Sequence, residues 1–201
     1  IMASRTTDFS IVGKSVPRVD APEKVTGKAQ YTDDISLPGM VFGRIKPATI
    51  AHGFIKSIDC RKARELPGVL AVITGKDTPK PWSVNDHLPT EYTLTPEKVR
   101  YYGEGIAAVA AISEEVAEDA LELIEVEYEE LPVLVDPLAT MTRDDVRIHD
   151  FAGNNVHLTG QQQFGDVDAA LAGSFHVAER SYSTANLYGA FMEPQSGLAD
   201  Y

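Results

Sequence analysis

The run Gly105-Ile106-Ala107-Ala108-Val109-Ala110-Ala111-Ile112 contains no polar side chain. Bounded by turn residues, it fits a strand buried on both faces, which obliges other strands to flank it. The residues that follow narrow the fold further. Ser113 is placed to cap a helix, and Glu114 and Glu115 stand in its first turn, where the helix dipole favours anions. Val116, Ala117, Ala120, Leu121 and Ile124 recur at helical spacing and give one apolar face, leaving Glu118, Asp119 and Glu122 toward water. From Ile124 the period changes to two. Ile124, Val126 and Tyr128 alternate with Glu125, Glu127 and Glu129, which predicts a half-buried strand with an acidic face. Ahead of the run, Lys98 to Tyr102 reads as a strand.

The same order occurs upstream. Val41 to Ile45 and Phe54 to Ile58 are short β-rich runs. Asp59 can cap a helix over Cys60 to Leu66, which Pro67-Gly68 ends. Val69 to Ile73 then reads as a buried strand. Strand, strand, helix, strand is therefore present twice, at about 41 to 73 and about 98 to 130. Hairpins and helical crossovers both occur, so the expected class is α+β, with mixed sheets and the helices on one side.

The flanks are less regular. Residues 1–19 read as an extended arm, and 76–97 as a proline-rich excursion carrying the only tryptophan, Trp82. A loop of that length is a place where a partner or substrate can be met. Leu131-Pro132 and Asp136-Pro137 close the doubled unit, and 134–155 reads as a linker. Beyond it, Gly165 to Gly173 is a short helix framed by glycines and His176 to Thr184 is a candidate strand. Because a strand without a partner exposes a raw edge, the segment from 156 to 201 is expected to be the incomplete beginning of another unit.

Composition removes several classes of function. Acidic residues number 30 against 18 Lys and Arg, a formal charge of −12, and no basic stripe is present to neutralise phosphates, which argues against nucleic acid. The single cysteine, Cys60, excludes an intrachain disulfide framework and any thiolate metal cluster, and it suggests a reducing, cytoplasmic setting. No apolar run reaches the roughly 18 residues needed to span a bilayer. Gly103-Glu104-Gly105 lacks the third glycine of a dinucleotide loop and precedes a strand, so it reads as a tight turn. His149, Asp150 and His157 fit no regular metal-ligand spacing. His52 and His176 read as surface or sheet-facing residues, and Cys60 as buried filler. The acids from Glu114 to Glu130 read as a solvated face, with docking of a basic partner as the alternative. Glu193, between Met192 and Pro194 in an apolar segment, would be partly desolvated, which suits a carboxylate that holds or protonates a polar substrate; it could equally cap a turn.

The order of motifs resembles the molybdenum-cofactor subunit of the xanthine dehydrogenase and aldehyde oxidase family. The likeness rests on Arg18-Val19-Asp20, Glu23 to Ala29, Tyr31 to Ile35, Ala51-His52, Pro67-Gly68-Val69, Val99-Arg100-Tyr101 with Gly103-Glu104, Ala107 to Ala110, Gly165 to Ala170 and Met192-Glu193-Pro194. Within the family it is similar to the 4-hydroxybenzoyl-CoA reductase branch. The resemblance implies an α/β-hammerhead domain over 20–133 and the start of a molybdopterin-binding domain over 156–201. It also implies an oxidoreductase using molybdenum on a pterin dinucleotide, with an iron–sulfur subunit and an FAD subunit as partners and an aromatic, heteroaromatic or CoA-thioester substrate. Glu193 matches the family's substrate-pocket glutamate, whereas the pterin loops and the general base would lie beyond Tyr201. The fragment alone is accordingly expected to be inactive. A different class of reading is a non-catalytic hammerhead module that docks a partner through its acidic face or the 76–97 loop.

Overall fold

Among the described residues six strands carry the fold: β1 (Phe42–Pro47), β2 (Gly53–Asp59), β3 (Val69–Thr74), β4 (Lys98–Val99), β5 (Gly105–Ala111) and β6 (Glu125–Glu130). The helices are α1 (Ala21–Val25), α2 (Arg61–Glu65), α3 (Glu114–Glu122), α4 (Pro137–Met141) and α5 (Val167–Ala172). The structure, a computed structural model, describes residues 9–83, 89–192 and 195–200. The chain divides into two units, Ile1–Pro38 with Arg180–Tyr201, and Gly39–Glu179. All six strands belong to the second.

The apolar run behaves as its composition requires. β5 is the centre of a sheet ordered β1-β5-β3, and Ile106, Ala107 and Ala111 are fully buried in it. Alanines along β5 let a helix approach closely. Ala117 and Ala120 of α3 meet Ala107, Val109 and Ala111 in one core, which Cys60 and Ala63 extend at the start of α2. The core is thus made from small side chains at close range, where many weak dispersion contacts add up. Ser113 caps α3 as expected, its Oγ accepting from the Val116 amide at 3.3 Å.

The second sheet is ordered β4-β2-β6. Each sheet is centred on a strand from the other repeat: β5 of the second repeat lies between β1 and β3 of the first, and β2 of the first lies between β4 and β6 of the second. The repeats are interlocked rather than stacked. This corrects the expectation of mixed sheets, because every pairing is antiparallel.

Three further expectations need correction. Val69 to Ile73 forms an edge strand, not a buried one; β3 has a single neighbour, and Leu70 is 59% and Ile73 40% exposed while Val72 turns into the core. The strand expected over Lys98 to Tyr102 stops after Val99. There the Glu104 carboxylate takes the Arg100 amide at 2.7 Å, and the Gly103 amide donates to the Ala48 carbonyl at 3.0 Å, so the chain turns. His176 to Thr184 forms no strand, since no described segment offers it a ladder. Smaller adjustments are local. Cys60 holds the N-cap position of α2, although the Asp59 carboxylate still accepts from the Arg61 amide at 3.0 Å.

Gly75 is fixed by space. A Cβ at Gly75 would lie 2.3 Å from the Thr95 carbonyl carbon and 2.4 Å from the Pro96 nitrogen. Backbone on that side cannot rotate away as a side chain would. Gly75→Ala is expected to destabilise the second unit by about 3 kcal/mol, read as a lower urea midpoint at unchanged slope.

The region read as a linker has local order. Asp136 caps α4, its Oδ1 accepting from Leu138 N at 2.9 Å and Ala139 N at 3.2 Å. The Asn155 amide group gathers the following turn by donating to the carbonyls of Thr140, Arg143 and Val146 and accepting from the Ile148 amide. α5 is capped by Asp166, whose Oδ1 accepts from Ala169 N at 3.0 Å. From His157 onward every described residue is exposed, including Phe175, Tyr182 and Met192. In the unit built from the two termini, α1 buries no residue, and Asp20 pairs with Lys24 at 2.6 Å and Arg18 at 2.9 Å.

Candidate functional site

Glu193 lies outside the described residues. Its described neighbours Phe191 and Met192 are both exposed, 72% and 99%. Among the described residues the polar chemistry concentrates elsewhere, where the turn before β5 meets the segment after α4.

That concentration starts from Glu104. The side chain is 4% exposed and faces an Arg100 side chain that is 8% exposed. Glu104 accepts from Nε of Arg100 at 3.0 Å and from its Nη2. The rest of the guanidinium is used too: Nη1 donates to the Thr90 carbonyl and Nη2 to the Thr95 hydroxyl, both at 3.2 Å, and the plane stands 4.8 Å from the Tyr92 ring centroid. Four hydrogen bonds to three acceptor atoms, and an aromatic face, offset the desolvation of this ion pair. The sequence reading recognised the turn at 103–105 but missed the pair. The available signal was an Arg and a Glu four apart, around a glycine turn that brings them back together.

Beside the pair is a cavity of about 210 Å3, lined among others by Tyr92, Lys98, Arg100, His149 and Phe151. His149 stacks on Phe151 with centroids 5.3 Å apart. Burial, and then the electrostatic influence of Arg100, His157 and Lys98, hold its ionisation below the usual histidine range. Asp150 is taken by Lys98 at 2.7 Å. No group of three or more His, Cys, Asp or Glu that could hold a metal ion occurs among the described residues.

The remaining candidates resolve simply. His52 is buried rather than at the surface, 2% exposed, with Nδ1 at 2.8 Å from the Pro132 carbonyl; the Leu131 amide donates to the His52 carbonyl, so this residue fastens the exit of β6. His176 is exposed. Cys60 is buried, and burial pushes its thiol up, away from nucleophile or thiolate-ligand behaviour. Much of the acidic face is matched by cations: Arg44 pairs with Glu114 and Glu118, Lys56 with Glu129 and Lys62 with Glu125. In the 76–97 excursion Trp82 and Glu91 form an antiparallel bridge; residues 84–88 of it lie outside the described residues. No helix among the described residues is long and apolar enough to cross a membrane.

This architecture has counterparts. A family model described as the a/b hammerhead domain of aldehyde oxidase and xanthine dehydrogenase matches residues 26–132. The nicotinate dehydrogenase large molybdopterin subunit of Eubacterium barkeri is 36% identical over 194 residues, which cover 96% of this chain and 45% of that protein. The carbon monoxide dehydrogenase large chain of Afipia carboxidovorans is 43% identical over 147 residues, 71% of this chain and 18% of that one. Among solved structures, the aldehyde oxidoreductase from Desulfovibrio gigas superposes with a TM-score of 0.60 at 35% identity, covering 67% of this chain and 16% of that chain. The chain spans less than half the length of these relatives. Its interlocked sheets and the family match across all six of their strands place it in the aldehyde oxidase and xanthine dehydrogenase family, as a chain that carries the a/b hammerhead domain.

Proposed function

We propose that this chain is the N-terminal part of the molybdopterin-binding large subunit of a multi-subunit molybdenum oxidoreductase. The observation that carries the reading is the hammerhead match joined to a likeness over 96% of the chain to a large molybdopterin subunit. In this reading residues 1–19 are an arm, 20–133 the hammerhead domain, 134–155 a linker, and 156–201 the start of the cofactor-binding domain. The exposed apolar side chains after His157 support the last assignment, because such residues need a core to enter.

The described residues do not fit a molybdenum centre. They offer no cluster of metal ligands, and the one thiol is buried. Pterin-binding loops are assigned to sequence beyond Tyr201, and no chemical step is derived through the cofactor. The single cysteine of these 201 residues supplies no set of iron–sulfur ligands, and iron–sulfur centres are proposed for one partner subunit and FAD for another. The assembly is proposed to be cytoplasmic. The three relatives act, by their names, on nicotinate, carbon monoxide and an aldehyde. Of these three, the nicotinate likeness covers the largest share of the chain, which supports an aromatic or heteroaromatic substrate; a CoA thioester such as 4-hydroxybenzoyl-CoA is the alternative for the assay. Glu193 is the proposed substrate-pocket residue. Its carboxyl would exchange a proton with a ring heteroatom as charge develops there.

Metal analysis tests the reading. The complete gene product, purified with its partners, is expected to carry stoichiometric molybdenum and pterin, and the 201-residue chain none. A complete product without molybdenum would remove the enzyme reading; molybdenum on the short chain would overturn the placement of the cofactor loops.

A further inference from the structure

Lys98 is a half-buried cation, its side chain 11% exposed, and it is held by the segment that follows α4. Its Nζ donates to the Arg147 carbonyl and to the Asp150 carboxylate, both at 2.7 Å, and lies 5.3 Å from the Phe54 ring centroid. The segment around those two acceptors is a strap over residues 146–157, folded on the amide of Asn155 and ending at His157. Val146 is its buried anchor. Within the strap, His149 forms part of the wall of two cavities, each of about 210 Å3, one shared with Lys98 and Arg100 and the other with His157.

We propose that the 146–157 strap is a proton-released latch on the hammerhead, closed on Lys98 while His149 is neutral and opened when His149 takes a proton. The charges around the ring give the sign. From β4 comes Lys98 and from the turn after it Arg100, both cationic, with Glu97 and Tyr92 from the segment leading into β4; from the strap itself come His157 and Asp150. Glu104 is occupied by Arg100 and Asp150 by Lys98, so neither carboxylate is free to receive an imidazolium. A proton on His149 adds a third cation beside two held ones, in a half-buried place. Movement of the strap into water relieves it.

The pH window follows from the same facts. With the strap closed His149 ionises below its ordinary value of about 6.5, and with the strap open it returns to that value. The open form therefore binds more protons, and closure is complete above about pH 6.5 and lost progressively as the pH falls through the lowered value of the closed form. The latch acts on the hammerhead unit alone and holds whether or not the chain serves a molybdenum enzyme.

Hydrogen exchange of the strap amides in the 201-residue chain tests it, with rates corrected for the intrinsic effect of pH. From about pH 7.5 to about pH 5, protection of the Ile148 and Ala152 amides, which donate to the Asn155 side chain and the His149 carbonyl, is expected to fall on the order of three- to tenfold, while Ala107 and Val109 of β5 keep theirs. His149→Gln, neutral at both pH values, is expected to keep the strap protected throughout. Lys98→Met is expected to lower protection at both. Equal loss in β5 would mean global unfolding and would overturn the proposal. So would a pH-dependent loss that persists in H149Q, or a His149 ring that titrates at or above 6.5 by NMR.

Discussion

Glu193→Gln in the complete subunit, assembled with its partners, is expected to lower kcat/KM by about 10²- to 10⁴-fold while molybdenum content stays unchanged. Glutamine has nearly the shape of the carboxyl group and keeps its acceptor oxygen, but it cannot exchange a proton with a ring heteroatom. The loss should therefore fall mainly on kcat. A residue that merely caps a turn would give a different result. Its amide would still accept a backbone hydrogen bond, so activity would stay within a few-fold of the parent, and thermal stability would carry whatever change occurred. Activity within a few-fold of wild type would thus remove Glu193 from the substrate pocket and leave it with the turn.

Glu104→Leu is expected to cost about 3–5 kcal/mol of unfolding free energy in urea, the largest stability effect expected from the second unit. The cause is what remains behind. Arg100 is 8% exposed, and without Glu104 its charge keeps only the Thr90 carbonyl and Thr95 hydroxyl, while its backbone amide loses its acceptor. The double variant R100M/E104L should recover part of the loss, because it removes the buried charge along with its partner. A loss below about 1 kcal/mol for E104L would show that water reaches the guanidinium and that the pair acts as a surface ion pair.

Both sites bear on what could be read before the structure. The alanine-rich run predicted a central strand, and β5 is one, because an unbroken apolar stretch bounded by turn residues keeps both its faces from water when it pairs between two strands. The cap at Ser113 and the shift from helical to alternating period at Ile124 were equally legible, since both are set within one or two turns of chain. Val69 to Ile73 was misplaced because its composition is that of a buried strand. Whether an apolar strand lies at a centre or an edge depends on how many neighbours arrive, which no local pattern records. The Arg100–Glu104 pair escaped for a related reason. Four-residue spacing usually signals a helix face, whereas here a turn at Gly103, with φ of 86°, folds the two side chains together.

By itself the sequence determined the elements of this protein: two repeats of strand, strand, helix, strand, the capped α3, the acidic outer face of β6, and the absence of a thiolate cluster. Periodicity, capping and composition are local properties, and they survive without knowledge of the partner. Only the tertiary structure decided that the repeats exchange their middle strands, so that β5 lies between β1 and β3, and β2 between β4 and β6. Strand pairing is a relation between distant segments, selected by which faces bury the most apolar surface together. The same is true of the strap over Lys98, whose two acceptors lie about fifty residues away in the chain and whose release is governed by a histidine that in the sequence belongs to no pattern.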